Sequence, residues 1–81
     1  MVVGYVLIQV EPTKEVEVLK KLLEVPEVVE AHTLFGEYDI IAKVVTSTLE
    51  EFTRIILNKI RKIDGIVGTK TLMGAMTSSA Q

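Results

Sequence analysis

Few side chains in this 81-residue chain have the types and spacing to do chemistry, and they fall in two stretches. Gly36-Glu37-Tyr38-Asp39 interrupts the apolar run "LFGEYDIIAKV" with a glycine, a phenol and two carboxylates. His32, the sole histidine, stands two residues after Glu30, a spacing that puts both on one face of a strand. An imidazole beside a carboxylate is a pairing used in catalysis and metal binding, yet it is also an ordinary solvated strand position. No nucleophile has a base beside it, so catalysis is not expected. Lys59, Arg61 and Lys62 gather where a helix should end and complement its dipole without needing a ligand. Glu24, Glu27 and Glu30 read as solvated surface around a turn.

The elements that position these residues follow from an internal repeat. Shifted by 38 positions, residues 21–36, "KLLEVPEVVEAHTLFG", lie over residues 59–74, "KIRKIDGIVGTKTLMG". Lys21/Lys59, Val29/Val67, Thr33/Thr71, Leu34/Leu72 and Gly36/Gly74 are identical. Each copy reads as a helix end, a turn bearing Pro or Gly, and a strand. Around them, Val3 to Val10 is β-branched and aliphatic and predicts a strand. Thr13 is the expected cap of a first helix, with Val16, Leu19 and Leu23 as its apolar stripe and Pro26 as its stop. Strands are expected at Val28–Phe35 and Ile40–Val45. Ser47-Thr48-Leu49-Glu50-Glu51 holds two overlapping capping boxes. Leu49, Phe52, Ile56, Ile60 and Ile63 then form one helical stripe, ended by Asp64-Gly65, and Ile66–Met73 makes the last strand. The order is βαββαβ: an α+β, ferredoxin-like fold with a four-stranded antiparallel sheet and both helices on one face.

Such a sheet should alternate apolar and polar residues, and its first strand does not. Val6, Ile8 and Val10 point one way while Val3, Tyr5 and Leu7 point the other; Ile40, Ala42 and Val44 likewise oppose Ile41 and Val45. Helices can cover one face only. The open face is therefore expected to pack on a second copy, as a dimer formed through the sheet, a dimeric α+β barrel. A hydrophobic share of 48% and a mean hydropathy of +0.38 in so small a chain agree with self-association.

Composition removes other functions. A net charge of −2 with a pI near 5.3 argues against direct nucleic-acid binding and against anionic membranes. The chain has no cysteine, so disulfides and thiolate metal sites are excluded, as is a paired-cysteine metallochaperone of this topology. An RNA-binding sheet would carry stacking aromatics, and the central strands offer only Tyr5. Glu11 sits where an acylphosphatase-like enzyme would want a cation. "MVVGYVLIQVEP" lacks a basic leader and a cleavage site, and is too short to span a bilayer. A cytoplasmic protein is expected, with one domain over residues 1–75 and a polar tail over 76–81.

Gly36-Glu37-Tyr38-Asp39 is thus either a plain strand connection or a binding loop. Two glycine-bearing strand ends, at Gly36 and Gly74, are expected to expose backbone N–H groups able to hold a small carboxylate. Asp39 would meet an ammonium. A carboxylate with an ammonium describes an amino acid.

Residues 3–74 resemble the ligand-binding (RAM) domain of the Lrp/AsnC transcription regulators. The resemblance rests on "YVLIQVEP", on "VPEVVEAHTLFGEYDIIAKV" with its Gly-x-Tyr-Asp, on "IDGI" and on "TKT". It implies a non-enzymatic module, without cofactor or metal, that binds an amino-acid effector and assembles as dimers and rings, often octamers. Gly36, Glu37, Tyr38 and Asp39 would lie at the effector pocket, with Thr69 and Thr71 as further contacts. Backbone N–H groups near Gly36 would take the effector carboxylate, and Asp39 its ammonium or the order of the loop. The first strand starts at Val2, with no helix-turn-helix domain ahead of it, so the chain resembles a stand-alone RAM protein. Two roles follow from that. One is amino-acid sensing that modulates Lrp/AsnC regulators; the other is ligand-independent co-assembly with a full-length DNA-binding paralogue.

Overall fold

The computed structural model describes residues 1–75. Strand β1 (Val2–Val10) leads to helix α1 (Glu15–Leu23), strands β2 (Val28–Thr33) and β3 (Ile40–Thr46), helix α2 (Leu49–Ile55), which continues as a π-helical turn over Ile56–Ile60, and strand β4 (Ile66–Met73). The sheet is antiparallel in the order β2-β3-β1-β4, as expected of a βαββαβ chain. The expected tail over 76–81 lies outside the described residues.

One side of the sheet holds the core. Val6, Ile8, Ile40, Ala42 and Val44 point into it and meet Val18 and Leu22 of α1 and Phe52, Ile55 and Ile60 of the second helix, all buried. Arg61 N donates to Ile56 O at 2.9 Å, a five-residue step. That wider turn keeps Ile55, Ile56 and Ile60 all on the buried side. Gly4 makes room for the Phe52 ring, which a Cβ at that position would strike.

The repeat survives as hydrogen bonds. Val25 N donates to Leu22 O at 3.0 Å, and Ile63 N to Ile60 O at 3.1 Å. Val28 N to Val25 O and Ile66 N to Ile63 O form the next equivalent pair. Pairing then skips Val29 in β2 and Val67 in β4, so both copies carry a bulge at the same repeat position. The copies part at their ends. β2 stops at Thr33, short of the expected Phe35, while β4 runs to Met73.

Helix α1 departs from expectation at two points. Thr13 does not cap it; Lys14 occupies that position without a side-chain bond. Thr13 instead adopts φ +70° in a turn closed by Lys14 N donating to Glu11 O at 3.1 Å, with Pro12 at the preceding position. The buried stripe is Val18 and Leu22, whereas Val16 and Leu23 are exposed. The start of α2 is closer to expectation. Thr48 Oγ1 accepts from Glu51 N at 3.1 Å, but the Glu51 carboxylate returns to Ser47 N rather than to Thr48 N. Leu49 is exposed, so the buried stripe of α2 begins at Phe52.

On the open side Val3 faces Val45, Leu7 faces Ile41, and Tyr5 stands between Lys43 and Leu72. These side chains are half-buried or exposed, since only neighbours on the same sheet shield them. No helix among the described residues is long and apolar enough to cross a membrane.

Candidate functional site

The β2–β3 connection is a tip tied down at its base. Thr33 pairs with Ile40, and Leu34 N donates to Asp39 O at 2.8 Å. Phe35, Gly36, Glu37 and Tyr38 project beyond that bond. Gly36 has φ +131°, a conformation that side chains resist, and no atom lies within 4 Å of where its Cβ would be. Torsion alone thus selects glycine here.

Asp39 anchors the tip to β1. Its N–H donates to Ile8 O at 2.9 Å, and its Oδ2 accepts from Val10 N at 2.9 Å. The β1–β3 register ends at Ile8–Ile40, so Val10 has no strand residue opposite it on that side. The carboxylate takes the place of the missing carbonyl. A third tie comes from Gln9, whose Nε2 donates to Glu37 O at 3.2 Å.

The structure brings Gly36, Glu37, Tyr38 and Asp39 together, and keeps Thr69 and Thr71 apart from them. Both threonines lie on β4, opposite Ile8 and Val6, on the helix side of the sheet. Thr69 lines an open cleft of about 430 Å³ with Arg61, Ile66, Val67 and Gly68. Thr71 lines an apolar cleft of about 280 Å³ with Leu49, Phe52, Thr53, Leu57 and Met73. The two clefts follow one flank, where the second helix leaves β4 uncovered. Sequence reasoning missed this groove, because it treated Arg61 only as a dipole partner.

Gly74 corrects another expectation. Its N–H is not free for a ligand but donates to Val3 O at 2.7 Å. The antiparallel order also sets Gly36 and Gly74 at opposite ends of the sheet.

His32 Nε2 lies 2.9 Å from Glu30 Oε1 on the open face, both exposed, and that hydrogen bond holds the Glu30 carboxyl below its usual range. Lys43 stands opposite Glu30 and Ile41 opposite His32. No group of three or more His, Asp or Glu able to hold a metal occurs among the described residues. Glu27 is not plain solvated surface: it is half-buried, and its carboxylate lies 3.6 Å from Lys59 Nζ. Asp64 and Glu17, at 3.5 and 3.8 Å, raise the Lys14 pKa.

A ferredoxin-like domain whose strand tip carries Gly-Glu-Tyr-Asp belongs to a recognisable family. Residues 3–75 match the Lrp/AsnC ligand binding domain, and the chain is a member of that family. The HTH-type transcriptional regulator FL11 of Pyrococcus furiosus is 35% identical over 72 residues, which are 89% of this chain and 47% of FL11. The chain spans about half the length of the curated relatives it matches. Among solved structures, FFRP-DM1 is 44% identical with a TM-score of 0.88, over 91% of this chain and 99% of that one. A complex of the regulator NMB0573 of Neisseria meningitidis with L-Met shares the fold, with a TM-score of 0.86 at 14% identity, over 98% of this chain and 53% of that one. The family is a regulatory one, not an enzyme family.

Proposed function

We propose that this domain binds an amino acid at the Gly36–Asp39 tip and, as part of a homo-oligomeric assembly, modulates Lrp/AsnC-type transcription regulators in the cytoplasm. The observation that carries the reading is the tip itself. Three hydrogen bonds to β1 hold Asp39 and Glu37 in place, while Gly36 keeps a conformation and an open surface that side chains would close. Ordered backbone beside a glycine is suited to a carboxylate. Asp39 serves first to order the loop, and its Oδ1 makes no hydrogen bond among the described residues, which leaves it to meet an ammonium. The family description and the L-Met complex of NMB0573 support this class of ligand.

Assembly is the second half of the reading. Val3, Leu7, Ile41 and Val45 form an apolar patch across the open face, suited to a dimer by sheet packing. Higher rings would then join dimers through other surfaces. A thermal-shift screen of the twenty amino acids at millimolar concentration tests the ligand reading. At least one should raise the melting temperature, since a ligand bound to the folded state stabilises it by mass action. A flat response to all twenty would contradict it.

A further inference from the structure

We propose that Gln9 is the positioning residue of the Gly36–Asp39 tip, and that Gly68 on β4 is a glycine so that the Gln9 amide can lie where it reaches that tip. Gln9 would thereby aim the backbone that receives a ligand carboxylate, a role that rests on the reading above.

Asp39 anchors only the base of the tip. Its bonds to β1, with Leu34 N donating to Asp39 O, close the loop at residues 34 and 39. Beyond them, among the described residues, a single hydrogen bond reaches residues 35–38: Gln9 Nε2 donates to Glu37 O at 3.2 Å. A peptide unit is planar and trans, so its carbonyl and its N–H point in opposite directions. Holding Glu37 O toward β1 therefore turns Tyr38 N–H away from β1. Gly36, with no atom within 4 Å of where its Cβ would be, leaves the approach open.

Gly68 stands opposite Gln9 in the β1–β4 register, just past the bulge at Val67. Its φ is not positive, so torsion does not call for glycine there. Space does. A Cβ on Gly68 would lie 3.0 Å from Gln9 Oε1, closer than ordinary van der Waals contact. The two repeat copies differ at this point. Val29 and Val67 are the same bulged residue in each, and the next position is Glu30 in one and Gly68 in the other. Glu30 faces Lys43 and carries a full side chain. The copy that faces Gln9 carries none. Gln9 Oε1 makes no hydrogen bond among the described residues, so the amide is placed by the Glu37 bond on one side and the room over Gly68 on the other.

Backbone 15N relaxation on the wild type, Gln9→Met, Gly68→Val and the double variant tests this. Gln9→Met keeps the length of the side chain and removes the donor. Gly68→Val puts a side chain where the Gln9 amide lies. Wild-type order parameters over residues 36–38 should match those of the strands, about 0.85, and fall below about 0.6 in each single variant, with Leu34 and Asp39 unchanged. The Tyr38 amide proton should shift in both. The double variant should be no looser than either single one, because both act through one hydrogen bond. Melting temperatures should stay near wild type, whereas a role in the fold at large would lower them. Should Gly68→Val unfold the domain, Gly68→Ala replaces it, with a smaller change in the same direction.

The millimolar screen of the twenty amino acids, repeated on Gln9→Met, separates positioning from binding. An amino acid that raises the wild-type melting temperature should raise that of Gln9→Met by less. Wild-type order retained in Gln9→Met overturns the positioning role whatever the screen gives, as does a loosened tip with an undiminished response. Wild-type order retained in Gly68→Val, or a further loss in the double variant, overturns the part given to Gly68. A tip loosened as expected in a chain that no amino acid stabilises supports Gln9 as the tie and overturns the ligand reading instead.

Discussion

Asp39 Oδ2 accepts a hydrogen bond from Val10 N at 2.9 Å, across the end of β3, where no strand residue remains to do so. A loop residue thereby completes the ladder of the central strand. Asp39→Ala would leave that N–H without its partner, at a cost of about 1–3 kcal/mol. Asp39→Asn keeps an acceptor and should cost less, about 0.5–1.5 kcal/mol. Urea unfolding separates the two variants; an Asp39→Ala midpoint equal to wild type would remove Asp39 from the loop's support.

Two glycines should fail on alanine substitution for different reasons. Gly36→Ala meets no atom but must hold φ +131°, so it should lose about 1–3 kcal/mol through torsion alone. Gly4→Ala strikes the Phe52 ring and should lose about 1–3 kcal/mol through overpacking. Phe52→Leu should lessen the Gly4→Ala penalty and leave that of Gly36→Ala unchanged, as read from double-mutant cycles.

Thr13 is a β-branched residue at φ +70°, following Pro12 in a tight turn. Glycine fits that position better. Thr13→Gly should stabilise the fold by up to about 1 kcal/mol, the relief of left-handed strain exceeding the added freedom of the unfolded chain. A lowered melting temperature would contradict this.

Glu30 titrates below the usual glutamate range because His32 bonds its carboxylate. A depressed folded pKa contributes stability that is present above the unfolded value and lost as the pH falls through the folded one. Carboxyl NMR titration should therefore show the Glu30 midpoint moving back up in His32→Ala. An unmoved midpoint would assign the shift to Lys43 instead.

The order of elements along the chain was legible in the sequence because the repeat and the period of two leave little freedom. Val28/Ile66 and Leu22/Ile60 occupy equivalent places in the structure, as the 38-residue offset implies. The face of α1 was not legible. Its residues 15–23 hold apolar side chains on more than one side, and only the sheet decides that Val18 and Leu22 are buried rather than Val16 and Leu23. Thr13 looked like a cap because threonine often is one, but Pro12 commits the chain to a turn first. The Gly36–Asp39 cluster was visible as polar residues between apolar runs. Its anchoring through Val10 N was not, because a backbone N–H left without a strand partner has no signature in side-chain type.

The central claim is that the open face, with Val3, Leu7, Ile41 and Val45, does not stay in contact with water. Equilibrium sedimentation of the purified chain at micromolar concentration tests it most directly. A mass of at least twice 9.0 kDa is predicted, and Leu7→Glu should lower it. A wild-type particle of 9.0 kDa would contradict the account.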